Sequence, residues 1–186
     1  MTDAPETALD WFVLDGPEFL HSDAATITDM PDSTLQNWAN RKLIDVEAAG
    51  KGSRRVYSAM HIAVITFARE MISVGFETSL AVSVASSVYI ALMKRMKEAI
   101  KAGTPAAEYE QSILGLGAYV VPDKIKLKHR VELFGMEVHT SLPHNRSLIF
   151  VPAGPLLAKS IIEAMKVDSA KRRPASNLSA AAVAVG

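Results

Sequence analysis

The chain has 186 residues, 49% of them hydrophobic, so it can bury a sizeable core. Basic and acidic residues balance at 20 each, which excludes whole-chain attraction as the basis of nucleic-acid binding and leaves that role to a local patch. There is no cysteine, which excludes disulfides, thiolate metal sites and thiol redox sensing.

The opening MTDAPETALDWFVLDGPEFL carries five acids and no base. It lacks the basic start and apolar run of a signal peptide. The nearest approach to a bilayer span, SLAVSVASSVYIALM, is punctuated by serines and followed by KRMKEAIK. A soluble cytoplasmic protein without membrane contact is expected. Residues 1–19 read as an acidic, partly ordered arm with Trp11, Phe12 and Leu14 as docking residues. From Leu20 to Lys42 the pattern predicts two short helices. Ser22 is the expected cap of the first, with Asp23 in its first turn. Pro31 suits the first turn of the second, with Asp29 as a nearby cap. The second helix carries Leu35 and Trp38 on its core face and Ser33, Thr34, Gln36, Asn37 and Arg41 largely on others.

Two short strands follow, LIDVE and RRVYS, joined by AAGKGS, whose two glycines reach positive φ without strain. Ser58 is placed to cap a helix in which Ile62, Ile65, Ala68, Met71 and Ile72 recur at helical spacing, and Gly75 ends it. A longer helix is predicted from about Glu77 to Lys101, with Ala85, Tyr89, Leu92, Met96 and Ala99 in a heptad-like seam suited either to the core or to a dimer. Gly103 stops it, and Pro105 starts a short helix through Leu114. After Gly117 the period becomes two. KIKLKHRVEL sets Ile125, Leu127, Val131 and Leu133 opposite Lys124, Lys126, Lys128 and Arg130. MEVHTSL and SLIFV are further strand candidates. PAGPLLAKSIIEAMK reads as a loop and a closing helix, and the remainder from Val167 as a low-complexity tail. His129, His139 and His144 lack carboxylates or cysteines at metal spacing. No nucleophile–base order, carboxylate pair or phosphate loop stands out, so neither an enzyme, a cofactor nor a metal is expected.

Two short helices across a tight turn, a two-stranded wing and a further helix make the plan of a winged helix-turn-helix. A helix with Ser, Thr, Gln and Asn outward is suited to base edges and phosphates of the major groove. Lys51 on the wing turn, with Arg54 and Arg55 after it, supplies charge for the flanking backbone. Three segments, AATITDMPDSTLQNWANRKLI, the wing ending RRVYS, and HIAVITFAREMISVGFETSLA, resemble the MerR family of bacterial transcription regulators over about Ser22 to Ala85. The resemblance implies base contacts at Gln36 and Asn37, wing arginines at Arg54 and Arg55, and a wing tyrosine at Tyr57. The chain departs from the family pattern at four points. Gln36 stands for an arginine. Lys42 stands for a glycine and must take its turn without glycine's freedom. Asp29 replaces a turn glycine, and aspartate tolerates left-handed geometry. A shorter helix and a β-rich piece replace the long C-terminal coiled coil.

The expected fold is α+β. It comprises an arm (1–19), a winged helix-turn-helix (20–76), a connecting or dimerising helix (77–102), a β-rich C-terminal domain (103–166), of which about Gly117 to Lys166 folds as a unit, and a tail (167–186). The expected function is sequence-specific binding of double-stranded DNA by a homodimeric regulator, with an effector or dimer role for the C-terminal part. Ser33, Thr34, Gln36 and Asn37 would face bases or phosphates, and Arg41, Lys51, Arg54 and Arg55 phosphates. The alternatives are a phage-type architectural or packaging protein, resembling an excisionase or small terminase subunit, and a module for small ligands or protein contacts with no DNA role.

Overall fold

The structure, a computed structural model, describes residues 6–14, 16–46, 55–123, 128–135 and 149–172. Its elements are α1 (Ala8–Val13), β1 (Glu18–Leu20), α2 (His21–Thr28), α3 (Asp32–Asn40), β2 (Val56–Ser58), α4 (Ala59–Ser73), α5 (Thr78–Lys101), α6 (Ala106–Leu114), β3 (Leu116–Asp123), β4 (Lys128–Gly135), β5 (Ile149–Val151) and α7 (Ala153–Arg172). The described chain is therefore mostly helical, with two small antiparallel sheets.

The acidic arm is ordered where it turns helical. Thr7 caps α1, its Oγ1 accepting the Asp10 N–H at 3.2 Å. Leu9 and Phe12 are fully buried, whereas Leu14, an expected docking residue, is 61% exposed. The sequence reading overlooked Leu9, which shares one helical face with Phe12 at a three-residue spacing. Two polar contacts fasten the arm to α6. The Tyr109 hydroxyl donates to the buried Asp10 carboxylate, and the Leu9 N–H donates to Glu110 Oε1 at 2.9 Å.

Sheet pairing differs from the expected hairpin. The strand Val56–Ser58 pairs with β1 in the register Glu18↔Ser58, Phe19↔Tyr57 and Leu20↔Val56. Leu43–Val46, expected as the first wing strand, is not a strand. It turns, with the Val46 N–H on the Ile44 carbonyl at 3.1 Å, and Ile44 plugs the core. Glu47 and the expected turn, through Arg54, lie outside the described residues.

Helix α4 is the axis of the core. Ile62, Ala63, Ile65, Phe67 and Ala68 are all fully buried, the signature of a helix enclosed on every side. Ser58 caps it as expected, and Gly75, at φ +99°, follows its end. Helix α5 runs along α4 and turns Ala85, Tyr89, Leu92 and Met96 inward, so the heptad-like seam is spent on this chain's own core. Beyond α6, which starts after Pro105 as expected, the chain forms a three-stranded sheet of order β4-β3-β5. Strand β3, LGAYVVPD, was not anticipated. It is the central strand, pairing Tyr119 with Glu132 on one side and with Phe150 on the other. Residues 124–127 and 136–148, with the KIKL and MEVHTSL candidates, lie outside the described residues.

Closing helix α7 reaches farther than expected, to Arg172, and so takes in 167–172 of the anticipated tail. It covers the sheet at β3, but it also packs on α4 and α2 of the N-terminal part. Leu157, Ile161 and Ala164 join one core cluster that includes Leu35, Trp38 and Phe67. Ion pairs Lys159–Glu70 (3.1 Å) and Lys171–Asp23 (2.5 Å) follow the same contact line. The core of the C-terminal part is thus continuous with that of the helix-turn-helix. The crossing is tight where α7 begins: a Cβ on Gly154 would collide with the Leu114 carbonyl at the end of α6.

Candidate nucleic-acid interface

The turns that flank α3 take the backbone shape that the MerR resemblance implies. Asp29 adopts φ +50° and Lys42 φ +54°, the only non-glycine positive values among the described residues. They are the two positions where the MerR pattern has glycine. Asp29 is held by Arg69 of α4, whose guanidinium meets its carboxylate at 2.5 Å and the Thr28 carbonyl at 3.2 Å. The Met30 N–H closes the end of α2 on the Ala25 carbonyl at 3.0 Å. Helix α2 begins at His21, with Leu20 rather than Ser22 at its cap position and Asp23 Oδ2 accepting the Leu20 N–H at 3.0 Å.

Helix α3 leaves this turn from Pro31, and its two faces are cleanly divided. Leu35, Trp38 and Ala39 are buried, together with Ile27, Met30 and Ile44. Ser33, Gln36, Asn37 and Asn40 form an exposed polar stripe, while Thr34 is half-buried and Arg41 is exposed at the helix end. Arg41 lies within electrostatic reach of Glu77, the cap of α5. The Glu77 carboxylate is held down to about 2 by the Ser79 hydroxyl and by the Ser79 and Leu80 N–H groups, with Arg41 contributing.

Arg55, just before β2, meets the stripe at Asn40. Its Nη2 donates to Asn40 Oδ1 at 2.7 Å, and Gln36 Nε2 donates to the same oxygen at 3.1 Å. Arg55 Nη1 is buried with no hydrogen-bond partner among the described residues. Tyr57, the wing tyrosine that the resemblance implies, is fully enclosed. Its hydroxyl lies 2.9 Å from His21 Nδ1, and its ring meets His61 edge-on at 6.3 Å between centroids. Burial raises its pKa, offset in part by Arg55. Tyr57 thereby acts as a strut beneath the interface, joining β2 to α2. His61 ties the end of the helix-turn-helix to α4, with Nε2 on the Asp45 carbonyl at 3.0 Å and Nδ1 accepting the Ser58 N–H at 3.1 Å. Burial lowers its pKa from 6.5.

The structure thus exposes Ser33, Gln36 and Asn37 on α3 and Arg41 at its end, and sets Arg55 against Asn40. Lys51 and Arg54 lie outside the described residues. Sequence reasoning missed Asn40, although extending the Ser33–Gln36–Asn37 stripe by one helical turn reaches it. Among the described residues no cluster of three or more His, Cys, Asp or Glu is placed to hold a metal ion, and no helix is long and apolar enough to cross a membrane.

Paired short helices, a left-handed turn and a polar outward stripe on the second helix define a helix-turn-helix head. Residues 19–85 match the family model described as MerR HTH family regulatory protein, so the N-terminal region is a MerR-like helix-turn-helix, the module of a family of DNA-binding regulators. No curated protein matches the chain.

Proposed function

We propose that this protein is a transcription regulator that binds double-stranded DNA sequence-specifically through α3. The observation that carries the reading is the polar stripe on α3, exposed on a helix whose opposite face is anchored by Leu35 and Trp38. Gln36 and Asn37 read bases, and Ser33 and Thr34 reach base or phosphate. Arg41, with Lys51 and Arg54 of a wing, faces the backbone, while Arg55, expected to join them there, is held against Asn40, and Tyr57 lies beneath. Residues 20–76 are the reading head, 77–102 the connecting helix and 103–166 the part that stabilises or modulates it.

The functional unit in this reading is a homodimer, because a single small module buries little DNA surface. The seam of α5 is occupied, so the second copy meets its outer side instead. There Ile90, Met93 and Ile100 face Leu14 and Met60 across an apolar groove of about 790 Å³. A second reading, a DNA architectural or packaging protein, is favoured by the way α5 folds back onto α4 rather than projecting as a dimerising rod. A monomer by sedimentation at micromolar concentration, free and on DNA, would select that reading.

Selection from a random duplex pool, followed by salt titration, tests DNA reading itself. Asn37→Ala should cost on the order of 1–3 kcal/mol at one base position and spare non-specific binding. Arg41→Ala should weaken binding to every sequence and reduce the salt slope by about one. If no duplex is enriched and both variants bind like the parent, the interface is misplaced.

A further inference from the structure

An asparagine amide carries one acceptor oxygen and one donor nitrogen, and which of them faces a partner is dictated by that partner. Arginine has no acceptor. The atom that Asn40 turns to Arg55 must therefore be its oxygen, 2.7 Å from Nη2. Gln36 donates to the same oxygen at 3.1 Å, so both of its lone pairs are engaged. What Asn40 presents outward, on the exposed stripe, is its NH2 group alone. Gln36 has spent one N–H on Asn40 and keeps its own oxygen and its second N–H.

This has a consequence for base readout. A free asparagine pairs bidentately with adenine, donating to N7 and accepting from the N6 amino group. With its oxygen saturated, Asn40 cannot accept. The edge it fits is one made of acceptors, and guanine offers two, N7 and O6. From this geometry, and resting on the DNA-reading role proposed above, we infer that Asn40 is a specificity-determining residue that reads guanine because Arg55 fixes the orientation of its amide. Arg55 is then a positioning residue for that contact. The partly enclosed guanidinium, with Nη1 buried, fits an inward-facing role better than a free phosphate arm.

The test is selection from a random duplex pool by the full chain and two variants, scored position by position. The parent should enrich guanine over adenine at one position by about 5- to 150-fold, the range of one good base contact. Arg55→Ala frees a lone pair on Asn40, so adenine should rise at that same position until the guanine preference is lost or reversed, while the other positions keep their order. Asn40→Asp keeps the acceptor for Arg55 and Gln36 but removes the outward donor, so the preference there should move to cytosine, whose N4 amino group a carboxylate accepts. Asn40 is exposed, so this second variant is informative even if Arg55→Ala folds poorly. A parent that enriches a sequence, with Arg55→Ala lowering all positions evenly and Asn40→Asp leaving base preference unmoved, overturns the inference and leaves DNA reading intact. A parent that enriches nothing overturns both.

Discussion

Leu157→Ala tests whether the reading head and the closing helix are one cooperative unit. Leu157 is fully buried on α7, in the cluster that also holds Leu35, Trp38 and Phe67. Truncating a buried leucine removes transfer free energy and leaves a cavity, together about 2–5 kcal/mol. Against a total stability of about 5–15 kcal/mol, that is a large fraction. For a chain of this size it corresponds to a fall in Tm of about 4–20 °C. The assay is urea unfolding followed by two probes. Fluorescence of Trp38, in a Trp11→Phe background, reports on α3, and far-ultraviolet circular dichroism reports on all helices. Because α7 packs on α2 and α4 as well as β3, both probes should move together in one transition. If the Trp38 midpoint stays put while circular dichroism shows an earlier, separate loss, the head has its own stability and the shared core is wrong as an account of it.

Two further outcomes follow from local chemistry. Lys42→Gly should stabilise the fold by about 0.5–1 kcal/mol by relieving a left-handed lysine, whereas Asp29→Gly should give no such gain, because it also deletes the Arg69 pair; chemical denaturation of both variants checks the contrast. His61 is held below its ordinary value of 6.5, so the unfolded chain takes up the proton first as pH falls. Its contribution is complete above 6.5 and is lost as pH falls from there to the lower folded value. Tm measured from about pH 7 to about pH 5 should therefore decline more steeply for the parent than for His61→Gln, and parallel profiles would contradict the assignment.

The head was legible in the sequence because its signals are local. The Ser58 cap and the alternation of Leu35 and Trp38 with polar neighbours are set within a few residues, and the left-handed turns at Asp29 and Lys42 were implied by the family resemblance. The same locality marked Pro105 and Gly103. What escaped was pairing at a distance. Nothing in VYS says that its partner is EFL, some forty residues earlier in the chain. Helix α7 carries apolar residues enough for either a sheet or a helical core, so its double role depended on tertiary packing. The interface divides the same way: its helical stripe could be read, but the Arg55–Asn40 contact joins residues 15 apart in the chain and could not.

The fastening of α1 to α6 bears on how this protein can be handled. The matched region begins at residue 19, an inviting place to start a shortened chain or to join the head to a foreign partner. Such a chain would lack Leu9 and Phe12, and it would strip the Tyr109 hydroxyl of its acceptor. Among the residues that look most dispensable by family comparison, Leu9, Asp10 and Phe12 are buried in the shared core. The head of this protein is therefore not a portable cassette, and grafts that respect the family boundary would carry an open seam.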